Sequence, residues 1–236
     1  MWLIVGTCTF LLILQRILFS KKINKKLYSV FAIGFLFILL IWMNFNYQVS
    51  QRNWDLNFIA DIQTGLDIKN NYQWSSGEGS VPLPINSNGH EVVSSTYHRV
   101  AWATAGLGLI WQYPMGYGVI KNSFAGLLDA SGIQHGSLGQ THSGWIDFGL
   151  AFGIPGLFIL FLWMVMIVRQ SVIALDGLNA TAASIATIFI PLMLVAETAW
   201  KQYLEAEFFL LAFASGLVIM SNFGSNKRNL ETVKAG

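Results

Sequence analysis

Apolar residues gather in five long runs, parted by short polar intervals and by one polar stretch of about a hundred residues. The runs are Trp2 to Phe19, Leu27 to Met43, Trp145 to Val168, Leu178 to Ala196 and Tyr203 to Met220. Each meets or approaches the roughly 20 apolar residues with which a helix crosses about 30 Å of hydrocarbon. The pattern predicts an all-α polytopic membrane protein with two transmembrane helices over residues 1–44, a large external loop over 45–144 and three transmembrane helices over 145–222. A tail, 223–236, follows. Pro191 falls inside the fourth run, and Glu205 and Glu207 put the first turn of the fifth in the interface.

Inside the long loop the pattern is shorter. Residues 53–95 read as loop with at most short helices, rich in Asn, Ser and Gly from residue 70 onward, with Trp54 and Trp74 resting at the membrane interface. "STYHRVAWATAGLGLIWQYPMGYG" then predicts an amphipathic helix over 97–112, lying near the outer membrane face. Ser95 or Thr96 would cap it, and Arg99, Trp102, Ala103, Gly106 and Ile110 would share one side. Pro114 ends it. Gly106 and Gly108 each cost roughly 1 kcal/mol in a helix interior unless a neighbour comes close. "PMGYG" is a turn with two flexible points, Gly116 and Gly118. A short helix over Ser123 to Ala130 follows, and then His135 between Gly132 and Gly136. In "GQTHSGWIDFGLAFGIPGLFILFLW" the chain passes from polar to apolar just after His142, with Thr141 or Ser143 as the expected helix cap.

Composition supports lipid contact. Charged residues are 11% and hydrophobic residues 54%, where a soluble chain carries about a quarter charged residues. A net charge of +2 makes no basic stripe, so nucleic acid is not an expected partner. Cys8, the only cysteine, rules out an internal disulfide and reads as a buried small hydrophobe. The lysines follow the first apolar run and do not precede it, which favours a retained helix over a cleaved leader. Basic residues also set direction. Arg16, Lys21, Lys22, Lys25, Lys26, Arg169, Lys227, Arg228 and Lys234 fall on one side with only Asp176 and Glu231. That side is the expected cytoplasm, and the long loop lies outside.

Two residues stand out chemically. The guanidinium of Arg99 offers a rigid, permanently charged fork that suits a pyrophosphate at headgroup level. His142 could take a proton from a sugar hydroxyl near neutral pH. The bland alternatives are an arginine snorkelling to headgroups and a histidine facing water. Tyr97, His98, Lys121 and His135 are further candidates for sugar or phosphate contact. Asp147, five positions past His142 and off the same helical face, is a weaker candidate partner for the imidazole. The histidines show no HExxH or HxH spacing, so neither a metal site nor any other cofactor is expected.

These segments resemble a known family. "YHRVAWATAGLGLIWQYPMGYG" is similar to the R-x-x-x-W…P-x-x-G-x-G segment of the O-antigen ligase and polymerase superfamily, and "THSGWIDFGLAFGIPG" to its H-(N/S)…G-(I/L)-x-G signature. The matching positions are Arg99, Trp102 (one place early), Pro114, Gly116, Gly118, His142, Ser143, Gly153 and Gly156. The resemblance is strongest over residues 95–170. It implies a multi-pass enzyme of the bacterial inner membrane with a periplasmic loop, whose essential arginine and histidine match Arg99 and His142, and which needs no metal. Such enzymes move a glycan from undecaprenyl pyrophosphate to lipid A–core, to a growing polysaccharide or to a protein. The donor, a lipid or glycan acceptor and membrane lipids are the implied partners. Family members commonly have ten or more spans and this chain has five. A C-terminal portion of a longer protein (its N-terminal half missing), a late start and a reduced relative all stay open. An O-antigen or capsule polymerase or a truncated non-catalytic envelope-assembly component is the alternative function. A transporter is disfavoured, since no charge sits mid-span.

Overall fold

The structure is a computed structural model and describes residues 54–173, 177–194 and 200–234. The first two predicted spans, the lysine loop between them and Cys8 lie outside the described residues. The helices are α1 (Trp54–Leu66), α2 (Ser94–Gln112), α3 (Ser123–Ala130), α4 (Gly144–Ile173), α5 (Gly177–Leu192) and α6 (Lys201–Lys234), with a 3-10 turn at Tyr72–Ser76. Among the described residues the extended pairing is one isolated bridge, Ile85 with Glu91, so the fold is all-α as expected. The described residues fall into two compact units, one holding residues 54–158 together with 193–204, the other 159–192 and 205 onward.

In the first unit α2 is the central element. Tyr97, Ala101, Trp102, Ala105, Leu109 and Ile110 are buried along it, against Trp74, Phe124, Leu128, Ile146 and Leu150. The expected side of this helix is corrected in part, because Arg99 is exposed while His98, next to it, is 1% exposed. The buried arc follows the 98, 101, 102, 105, 109 positions, and Arg99 lies about a quarter-turn off it. The cap is also corrected. The helix starts at Ser94 with Val93 as N-cap and no side-chain capping bond, so Ser95 and Thr96 lie within its first turn. The fully buried Asp61 does the neighbouring work, accepting Val93 N–H at 3.0 Å and Asn86 Nδ2–H at 2.8 Å. Trp74 is not interfacial. It is 4% exposed, with its indole N–H donated to Ile68 O.

The helix stops at Gln112, two residues before Pro114, and α3 has the expected bounds. Gly106 admits α4, for a Cβ there would lie 2.5 Å from Ile146 Cγ2. The "PMGYG" turn and the "GIPG" segment interlock. Gly153 breaks α4 with φ 66° and ψ −167°, which frees carbonyls and an N–H on either side of it. The turn satisfies them. Tyr117 N–H donates to Leu150 O at 2.8 Å, Gly118 N–H to Ala151 O at 2.7 Å, and Ile154 N–H to Pro114 O at 2.9 Å. Side chains are excluded here, since a Cβ on Gly153 would meet Pro114 O at 2.1 Å and one on Gly116 would meet Gly153 N at 2.5 Å. Gly156 instead packs within its own helix, against Phe152.

In the second unit small residues carry the packing, with Ala182, Ala183, Ala186 and Ala214 all buried. Trp163 Nε1–H donates to Ser215 Oγ and Asn179 Nδ2–H to Ser221 Oγ. Two helical stretches, Gly144–Ser171 and Gln202–Phe223, are long and apolar enough to cross a membrane. The fourth predicted span ends early, with α5 closing at Leu192 and a turn at residues 193–194. Pro191 lies inside α5, one residue before its end. Glu205 is exposed as expected of an interfacial turn, but Glu207 is 5% exposed, a correction to its expected place there. The tail continues α6 as helix to Lys234.

Candidate functional site

Among the described residues, the non-glycine positions with positive φ are Asn122 at 58° and His142 at 59°. A side chain in that region costs on the order of 1–3 kcal/mol and persists where its surroundings over-determine it. Both residues line the same cavity of about 580 Å³ in the first unit. Local strain thus converges on one place.

The chain around His142 is held from below. Asp147, fully buried, accepts the backbone N–H and the hydroxyl of Thr141, both at 2.8 Å. Its own N–H donates to Ser143 O at 2.8 Å, which opens α4 with Ser143 in the capping place. Asp147 therefore fixes the backbone just before the histidine through Thr141. The start of α4 is tied further by Trp145 N–H, donated to Met193 O.

The imidazole rests on an aromatic series. Tyr97 meets His98 edge-on at 5.2 Å, His98 lies 5.1 Å from Trp102, and Trp102 stacks on His142 at 5.3 Å with planes inclined by 28°. Trp102 is itself fixed by its indole N–H, donated to Trp74 O. The side-chain amide of Gln140 meets His142 Nδ1 at 3.4 Å. The cavity wall also includes Glu78, Lys121, Asn122, Ser137, Trp200 and Gln202. One cation, one carboxylate, several amides and two indoles make a surface suited to hydroxyl-rich and anionic ligands.

The other sequence candidates fall elsewhere. Tyr97 is fully buried, its hydroxyl donating to Asn71 O and accepting Trp74 N–H. Burial raises its pKa, partly offset by the bond from Trp74. His98 donates Nδ1–H to Ser94 O at 2.9 Å inside the core. His135 presents Nδ1 to Gly136 O at 2.6 Å and Nε2 to Asp129 Oδ1 at 3.1 Å, so both nitrogens face acceptors. Arg99 is exposed and is not in the cavity wall, whereas Lys121 is. Pro114, Gly116, Gly118, Gly153 and Gly156 serve the interlock and helix packing described above.

Glu78, Asn122, Gln140, Trp200 and Gln202 escaped the sequence reading. Asn122 had a local signal, an Asn directly before a short apolar helix, since Asn tolerates left-handed backbone. Trp200 and Gln202 had none, because they reach the cavity from sixty positions away.

A family model described as O-antigen ligase matches residues 1–161. No curated protein and no solved structure matches the chain significantly.

Proposed function

The chain belongs to the O-antigen ligase family, and on that footing we propose that it transfers a glycan from undecaprenyl pyrophosphate to a lipid A–core or growing polysaccharide acceptor at the periplasmic face of the bacterial inner membrane. The observation that carries this reading is the placement of His142, held at positive φ on the Trp102 ring in the wall of a polar, aromatic cavity.

In the proposed step His142 accepts the proton of an acceptor hydroxyl as that oxygen forms a bond to the anomeric carbon of the donor glycan. The bond from that carbon to the pyrophosphate oxygen breaks, and its electron pair leaves with undecaprenyl pyrophosphate. Pyrophosphate is a good leaving group, so one imidazole replaces the paired carboxylates of glycoside hydrolysis. A base at Nε2 requires Nδ1 to carry the proton. Gln140 faces Nδ1 through its own Nε2 in the structure, and the exchanged amide orientation, with its oxygen at Nδ1, is the one that accepts this proton. Positive charge for the leaving group comes from Lys121 in the cavity wall and from Arg99, exposed on α2.

The test is reconstitution. Protein in proteoliposomes, given undecaprenyl-pyrophosphate-linked glycan, should release undecaprenyl pyrophosphate only when a lipid A–core or polysaccharide acceptor is present. Release independent of acceptor would point to hydrolysis, and no release under any condition would favour a non-catalytic component.

A further inference from the structure

We propose that the end of α2 and the 114–118 turn form an anchor inserted into the outer edge of the bilayer, with lipid hydrocarbon as the occupant of its exposed apolar side chains. Trp111 is 77% exposed and Met115 74% exposed, and Leu107 and Val119 are exposed beside them in sequence. Leu107 and Trp111 are four residues apart on α2 and so share a face. Exposed side chains of this kind and number on a water-facing loop would be an aggregation liability.

What says that lipid covers them is the partner of the turn. Between Asp147 and Arg169 the chain has an uncharged run, residues 148–168, which as helix is about 31 Å long and matches the hydrocarbon thickness. The turn bonds to that run at Leu150, Ala151 and Ile154, in its outer third. A backbone segment tied there stands at the level where hydrocarbon begins. Non-helical backbone is tolerated at that depth only when protein groups satisfy it. The three bonds to the broken α4 do that for Pro114, Tyr117 and Gly118. Indole and thioether side chains then suit the boundary, where Trp is enriched. Phe158, exposed on the same side of the break as Ile154, continues the apolar surface along α4. Lys121, two residues past Val119, returns the chain to headgroup level and to the cavity wall.

This inference rests on α4 crossing the membrane and is independent of the reaction. It is tested in the full chain carrying Cys8→Ala, with single cysteines at Trp111, Met115, Phe158 and Ser80, each labelled with bimane. The labelled proteins are reconstituted in phosphatidylcholine vesicles containing lipid with a doxyl group on carbon 5 of the acyl chain. Loss of fluorescence at 111, 115 and 158, with none at the exposed Ser80, is the expected result. Quenching at 158 without quenching at 111 and 115 overturns the anchor while leaving the span intact. If those two positions are instead shielded by disulfide cross-linking between two copies of the chain, a second protomer is the occupant and the proposal fails. Absence of quenching at 158 as well removes the membrane placement of α4 and the anchor together.

Discussion

His142 lies against Trp102 with ring centroids 5.3 Å apart and planes inclined by 28°. The two residues come from different motifs some forty positions apart in the chain, and their contact joins the motifs into one site. Trp102 serves as the floor for the histidine while it is 6% exposed in the core of its unit. Trp102→Phe keeps the ring contact and loses the indole bond to Trp74 O, a cost of about 1 kcal/mol. Its transfer activity should persist. Trp102→Ala removes the floor and should cost about 3–5 kcal/mol. Thermal unfolding in detergent, read beside transfer, should separate the two variants, and equal loss of activity in both would argue against the stacking role.

The glycines of the two motifs should not behave alike. Gly153→Ala and Gly116→Ala force a Cβ into backbone at a positive φ, so both should prevent accumulation of folded protein. Gly108 has open space around it in the middle of α2. Gly108→Ala should therefore be neutral or stabilise by about 1 kcal/mol. Membrane levels and unfolding midpoints of the three variants supply the check.

Lys121 and Arg99 are separable. Lys121→Ala should weaken transfer chiefly by raising the donor KM, because Lys121 is the cation among the residues of the cavity wall. If the exposed Arg99 binds the diphosphate, Arg99→Lys should also impair transfer, since charge without the bidentate fork is insufficient. Wild-type kinetics in Arg99→Ala would remove the arginine from the mechanism and leave Lys121 as the cation at the leaving group.

Alkaline pH should act through Tyr97. Its pKa is raised by burial, so the neutral phenol is favoured in the folded protein. The associated stability is present below the unfolded value of about 10 and is lost as pH rises through the higher folded value. As pH rises from about 10 through the folded value, the melting temperature of the wild type should fall more steeply than that of Tyr97→Phe. At neutral pH Tyr97→Phe should already be weaker by about 1–2 kcal/mol for its lost bonds to Asn71 and Trp74. Parallel slopes would place the alkaline sensitivity elsewhere.

Much of this architecture was legible from periodicity and punctuation. Pro114 ending α2, the bounds of α3 and the apolar length of α4 each follow from local chemistry, as the structure bears out. Arg99 shares a helical side with Trp102, Gly106 and Ile110 by spacing, yet it is exposed while they are buried, because a helical period fixes spacing but the buried arc depends on what packs against it. Asp147 looked like a distant neighbour of the imidazole when a straight helix was assumed. With the chain turned at His142, its carboxylate reaches back to Thr141. The interlock at Gly153 could not be read from either glycine motif alone, since each supplies only half of the bonds.

The central claim is that His142 is the base, and the most direct measurement compares His142→Ala with His135→Ala for glycan transfer in proteoliposomes at equal protein levels. In the structure His142 lines the cavity, while both ring nitrogens of His135 face acceptor oxygens outside it. His142→Ala should accumulate in the membrane and lose transfer, and His135→Ala should retain most of it. Transfer that survives His142→Ala, or that is lost only in His135→Ala, would contradict the account.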